Sequence, residues 1–222
     1  MKLSCQNISC HREDWNLRGS TRIAGVSAAF DGGALCGFVG GAGTGKSLLL
    51  NILGLLESTD SGCVCVEGED TSLLEPEALT ALRNESFGFL FSETALLPSF
   101  SIAENVAMPL FRICGMNPEE AQERTIEVLE FFEIAAEGDN LACELEILPM
   151  WRTVFARALV HKPKILIAIS PRQEDDLLPF ARRVAEETGV CILWGGESVS
   201  LTAHAHRLIR MQEGNIIEDQ RL

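Results

Sequence analysis

Gly40-Gly41-Ala42-Gly43-Thr44-Gly45-Lys46-Ser47 satisfies the pattern G-x-x-x-x-G-K-[ST] without a substitution. Its surroundings are those the pattern needs. A strand-like run at 36–39 leads into it, and 46–56 leads out as a helix apolar on nearly every face, hence a buried one. Glycines at this spacing let the loop curl until successive N–H groups aim inward at phosphate oxygens, while the following helix adds the positive end of its dipole. Lys46 is expected to bridge the β- and γ-phosphates of a nucleoside triphosphate, and the Ser47 hydroxyl to sit on Mg2+. The competing reading of the same residues is a glycine-rich structural turn that binds nothing.

Outward from the loop, strand-like runs at 25–30, 36–39, 63–66, 87–91, 164–169 and 190–194 alternate with helix-like ones. The runs 208–211 and 215–218 form a closing hairpin around Gly214. Such alternation predicts a layered α/β domain. Asn117-Pro118-Glu119-Glu120 is a helix start, with Asn as cap, Pro at the first helical position and Glu three residues past the cap. Thr125, Val128, Leu129 and Phe132 then repeat at i, i+3, i+4, i+7, one buried stripe. The 222 residues read as a single domain in which 98–152 is an inserted helical subdomain.

Charge narrows the function. Eighteen Lys and Arg against thirty-two Asp and Glu leave −14, the wrong sign for a protein that holds DNA or RNA by neutralising phosphates. The segment 117–146 alone holds ten carboxylates and one base, Arg124, as a solvated helical face does. The longest apolar stretch, 48–56, is interrupted by Asn51 and falls far short of the roughly 20 residues a bilayer span needs. The first residues, MKLSCQNISCHRED, turn polar at once and lack the apolar centre of a secretory signal, which points to the cytosol. Eight cysteines without a C-x-x-C pair read as reduced, mostly buried residues, and Cys63 with Cys65 as a poor zinc site for want of further ligands. His204 and His206 read as polar surface positions near the last strand.

Several segments, in this order, resemble the nucleotide-binding subunits of ABC transporters, closest to the lipoprotein-releasing and macrolide-exporter type. They are GGAGTGKS (40–47), LLNILGLLESTDSGCVCVEGED (49–70), LRNESFGFLF (82–91), LLPSFSIAENVAMPL (96–110), FARALVHKPKILIA (155–168) and RLIRMQEGNII (207–217). The resemblance implies an α/β phosphate-loop NTPase fold of the ABC ATPase type: a mixed sheet core, an N-terminal antiparallel β part and an inserted helical subdomain. It also implies ATP and Mg2+ as ligands, with Gly40, Gly41, Ala42, Gly43, Thr44, Gly45, Lys46, Ser47 and Leu48 as nucleotide-binding positions and Ser47 as the metal position. An ABC permease is the implied membrane partner, which would place the chain at the inner face of the plasma membrane. Docking falls by the same likeness between residues 91 and 109 together with the acidic helical interval, with Phe91, Phe100 and Phe111 read either as apolar anchors or as core.

Other family elements fall on altered residues. The Gln after the GFxF strand falls on Ser92, and the LSGGQ signature on Leu145-Glu146-Ile147-Leu148-Pro149. The magnesium-orienting Asp and catalytic Glu fall on Ile169 and Ser170, before a retained Pro171. The switch His falls on Gly196, and only the Asp beyond the catalytic Glu has a match, at Asp176. Leu48 replaces a Thr, and Trp15 is the nearest candidate for the adenine-stacking aromatic. An ATPase of this kind polarises a water in line with the γ-phosphate through a carboxylate, and loss of such a base removes roughly 10²–10⁴ in rate. Glu146 sets a negative charge where the signature supplies a hydroxyl; unit charges ~4 Å apart cost on the order of 4 kcal/mol at an effective dielectric near 20. A symmetric ATP-closed homodimer is therefore disfavoured, and a heterodimer with an intact ATP-binding subunit is expected. Three readings follow: a nucleotide-binding subunit that hydrolyses poorly or not at all, an active ATPase whose carboxylate has moved to Glu93, Glu174 or Asp175, and a scaffold that binds no nucleotide.

Overall fold

The computed structural model describes residues 2–14, 19–196 and 199–222. In chain order its first elements are β1 (Lys2–Asp14), β2 (Gly19–Asp31), β3 (Leu35–Val39), α1 (Lys46–Leu53), β4 (Ser61–Val66), β5 (Glu69–Asp70), α2 (Pro76–Ser86) and β6 (Phe87–Leu90). Then follow α3 (Ile102–Arg112), α4 (Pro118–Phe131), α5 (Ile147–Leu159), β7 (Ile165–Ile169), α6 (Glu174–Thr188), β8 (Cys191–Gly195), α7 (Val199–His204), β9 (Arg207–Gln212) and β10 (Asn215–Arg221). Two sheets form the body: an antiparallel one in the order β2-β1-β4-β5, and a six-stranded one in the order β10-β9-β3-β8-β7-β6. In the second, β9, β3, β8, β7 and β6 run parallel and only β10 is antiparallel. This is the mixed core with an antiparallel N-terminal part that the likeness implies.

The strand β1 corrects the polar reading of the N-terminus. Leu3, Cys5, Ile8 and Cys10 are all buried, but a register shift between Cys5 and Ile8, with Asn7 left-handed at φ 49°, breaks the period-two pattern. One extra residue moves the buried face from odd to even positions, so the strand has no simple alternation to read. The other limits shift less. The run at 25–30 is the end of β2, and the closing hairpin extends to β9 and β10. The helix after the phosphate loop stops at Leu53, not 56, because Leu55 turns left-handed at φ 57° after the Gly54 cap and the Leu56 N–H folds back onto the Asn51 carbonyl at 2.8 Å.

Two cores lie on the two faces of the parallel sheet. One joins the antiparallel sheet to α1, whose Leu49, Leu50 and Leu53 are fully buried; the other joins α3, α4, α5 and α6 to the opposite face. The helical interval starts as expected: Asn117 Oδ1 accepts from the Glu120 N–H at 3.0 Å, and Thr125, Val128, Leu129 and Phe132 are buried. Its expected limit at 152 falls inside α5, which runs on to Leu159 and packs on the sheet. Burial pushes the Cys5 and Cys36 thiols up to about 11, so they remain protonated and inert at neutral pH. All eight cysteines are free.

The segment before α3 is held by one buried amide. Asn105 Oδ1 accepts from the Leu97 N–H at 2.8 Å, and Nδ2 lies 3.1, 3.3 and 2.9 Å from the carbonyls of Leu97, Phe100 and Ser101. Asn105→Ala strands these groups away from water and is expected to cost about 2–4 kcal/mol in a urea melt. A loss under about 1 kcal/mol would mean that the loop re-pairs without it.

Candidate nucleotide site

The phosphate loop is wedged between the two sheets by its glycines. A Cβ at Gly40 (φ 152°) would stand 2.5 Å from the Met211 carbonyl oxygen, and one at Gly45 (φ 95°) 2.9 Å from Ile23 and 3.0 Å from the Arg22 carbonyl. The Thr44 carbonyl accepts from the Gly214 N–H at 3.1 Å, which ties the loop to the β9–β10 turn. By contrast, a Cβ at Gly41 or Gly43 would meet nothing within 4 Å, so the outer rim faces open space. Gly45 is the left-handed N-cap of α1 and has no side chain to cap it, which leaves the first-turn N–H groups facing outward. Such a terminus favours an anion.

Lys46 is buried, and its ammonium curls back over the loop, donating to the Gly40 and Gly41 carbonyls, the latter at 3.0 Å. The Ser47 hydroxyl is exposed at the mouth of the same turn. These residues fit a phosphate group: a cradle open on one side, free N–H groups at a helix start, and a cation inside. Leu48 differs from the other loop positions, since its side chain joins the core and only its backbone can serve a ligand. For Mg2+ the loop supplies Ser47; among the described residues no cluster of three or more His, Cys, Asp or Glu could hold a metal.

The positions on which the likeness is expected to place the remaining family motifs lie in a row at the carboxyl ends of neighbouring strands. Val39 ends β3, Gly195 ends β8, Ile169 ends β7 and Leu90 ends β6, and Gly196, Ser170 and Ser92 follow within two residues of these ends. Adjacent ends are stitched together: the Ser170 N–H donates to the Gly195 carbonyl at 2.9 Å and the Gly196 N–H to the Phe38 carbonyl at 3.1 Å. Ile169 packs against the core. Ser170 is exposed and left-handed at φ 46°. Glu93 and Asp175 are exposed, whereas Glu174, half-buried at the start of α6, turns inward. Trp194 Nε1 donates to Glu174 Oε1 at 3.4 Å. The carboxylate stands where a side chain at 196 would be, with Oε1 2.2 Å from the place of a Cβ.

Farther out, the residues aligned with the signature start α5. Glu146 is its exposed N-cap, without a side-chain capping bond, and Ile147 is 59% exposed. Phe100 and Phe111 line an apolar groove between α3 and α4 with Met108 and Ile126. Phe91 lies apart from them, stacked on Phe89 with ring centroids 5.8 Å apart. Asp176 is exposed in the first turn of α6. Trp15 and Glu197 lie outside the described residues. Two roles escaped the sequence reading. Arg157, whose pKa burial lowers, donates to the Ala95 and Thr94 carbonyls at 2.8 and 3.0 Å and braces the segment after β6. His206 is half-buried rather than a surface residue: Nδ1 accepts from the Leu35 N–H at 3.0 Å and Nε2 lies 3.1 Å from Glu186.

A glycine loop between a parallel strand and a buried helix, opening at the carboxyl edge of a parallel sheet, defines a phosphate-loop nucleotide-binding domain. Residues 23–171 match the family model described as ABC transporter. The chain belongs to that family and has the fold of its ATP-binding domain. It is 34% identical over 203 residues to the lipoprotein-releasing system ATP-binding protein LolD of Bordetella pertussis, covering 89% of this chain and 87% of the relative. It is 32% identical to the macrolide export ATP-binding/permease protein MacB of Neisseria gonorrhoeae, covering 98% of this chain but 34% of that longer protein. In structure it is similar to a dimeric bacterial ABC transporter cassette at a TM-score of 0.86 and 23% identity, over 99% of this chain and 98% of that one. Among the described residues no helix is long and apolar enough to cross a membrane.

Proposed function

We propose that the chain is an ATP-binding subunit of an ABC transporter that holds Mg-ATP through residues 40–48 and hydrolyses it poorly or not at all. It acts with a membrane permease and with a second, catalytically competent ATP-binding subunit. One juxtaposition carries this reading: a complete phosphate loop beside strand ends whose residues, Ile169, Ser170 and Gly196, offer no carboxylate or imidazole. Lys46 would neutralise the β- and γ-phosphates, the N–H groups of the loop and the first turn of α1 would bind their oxygens, and Ser47 would hold the Mg2+ that spreads the phosphate charge. Nothing at 169 or 170 would take the proton of an attacking water. The apolar groove with Phe100 and Phe111 fits a permease helix, which would bring the chain to the inner face of the plasma membrane. The whole chain then forms one nucleotide-binding domain with its helical part as the docking arm.

The test is calorimetric titration of the purified chain with Mg-ATP, with phosphate release followed in the same samples. Saturable binding without release above a Lys46→Ala control is expected. Release above that control would overturn the non-hydrolysing reading and favour a relocated carboxylate. An absence of binding at millimolar ATP would leave the loop as a structural turn.

A further inference from the structure

We infer that Glu174 is a specificity-determining residue that makes this nucleotide site favour a nucleoside diphosphate over the corresponding triphosphate. The inference rests on the phosphate-loop reading above. The strand β8, which ends at Gly195, is the direct neighbour of β3, which opens into the loop at Gly40, and the two ends are joined by the hydrogen bond from Gly196 to Phe38. Adjacent strands lie about 4.8 Å apart, so whatever stands over Gly196 stands one strand from the loop entry, in the crevice where open parallel sheets bind ligands.

What stands there is a carboxylate. The space beside the Gly196 Cα is taken by Glu174, whose Cδ, Oε1 and Oε2 lie 2.8, 2.2 and 2.9 Å from the place of a Cβ. Any residue but glycine at 196 would displace it. Its orientation is set by the indole N–H of Trp194, a fully buried residue on β8 whose ring packs against Phe155 with centroids 6.3 Å apart. The carboxylate is therefore tied to the core through that bond. Lys46, whose ammonium sits over Gly40 and Gly41, marks the end of the loop where the terminal phosphates belong. A diphosphate meets the loop N–H groups and Lys46. A triphosphate adds a further charged group to the crevice in which Glu174 stands, and like charges in a partly buried site repel. Glu93 and Asp175 are exposed residues.

The experiment is calorimetric titration of the full chain with Mg-ADP and with Mg-ATP, for wild type, Glu174→Gln and Glu174→Ala, with phosphate release monitored throughout. Glutamine keeps the shape and the acceptor for Trp194 and removes only the charge. Wild type is expected to bind ADP at least tenfold more tightly than ATP. In both variants ATP affinity should rise until the two nucleotides differ by less than about threefold, with ADP affinity unchanged. Equal affinities in wild type would overturn the proposal, as would a variant in which both affinities move together, which marks a structural role. Phosphate release that Glu174→Gln abolishes would overturn it too, by making the carboxylate a base. If wild type binds neither nucleotide, the phosphate-loop reading itself fails.

Discussion

Lys46→Ala lowers the affinity for Mg-ATP at least a hundredfold while the fold survives. The ammonium is the one positive side chain of the phosphate loop in a protein of net charge −14, so little else in that loop attracts a polyphosphate. It is 6% exposed, and charge-assisted contacts in so sheltered a place are about twice as strong as neutral ones. A hundredfold loss corresponds to about 2.7 kcal/mol, within the range for removing one buried charged partner. The same variant also frees the Gly40 and Gly41 carbonyls from their donor, so its ligand-free melting temperature should fall slightly. Calorimetry reads the first effect and thermal denaturation by circular dichroism the second. Retention of wild-type affinity would show that the loop is not where the nucleotide's phosphates sit.

Phe132→Ala is expected to destabilise the protein by about 3–5 kcal/mol. The ring is 1% exposed at the end of α4, with centroids 5.2, 5.0 and 5.7 Å from those of Phe131, Phe155 and Phe180. It is the point where α4, α5 and α6 meet, and its surroundings are fixed from outside: the Arg183 guanidinium stacks over Phe131 at 4.2 Å and Phe180 at 5.2 Å. That cation cannot enter the hole without losing water, so the site collapses poorly and the cavity term is near its upper range. For a chain of this length the melting temperature should fall by about 6–20 °C. A shift below about 3 °C would mean that the helices close over the gap.

How legible the molecule was depends on the range over which each feature is encoded. The phosphate loop, the strand before it and the Asn117 cap are local, since their residues act on neighbours a few positions away. Those were readable, and the strand, the helix that follows the loop and the cap are found where they were read. The stripe at Thr125, Val128, Leu129 and Phe132 was readable for the same reason, because helical periodicity is a short-range property. The strand β1 was not, since its bulge at Asn7 interrupts the alternation and two of its four inward residues are cysteines. Nor was the role of His206, which links β3, β9 and α6 through partners as far apart as Leu35 and Glu186.

The candidate site divides in the same way. The sequence by itself determined the α/β class, the family and the glycine loop before α1, because spacing within one segment suffices to shape a turn and a helix start. It also singled out Ile169, Ser170 and Gly196 as positions to inspect. Only the tertiary structure decided what occupies the space beside Gly196. Three carboxylates lay close in sequence to the altered positions; in the fold Glu93 and Asp175 are exposed, and Glu174 is set against Gly196 under the Trp194 indole. That choice depends on how α6 lies across the end of β8, and the packing of two elements joined through a third is not written in the spacing of any one of them.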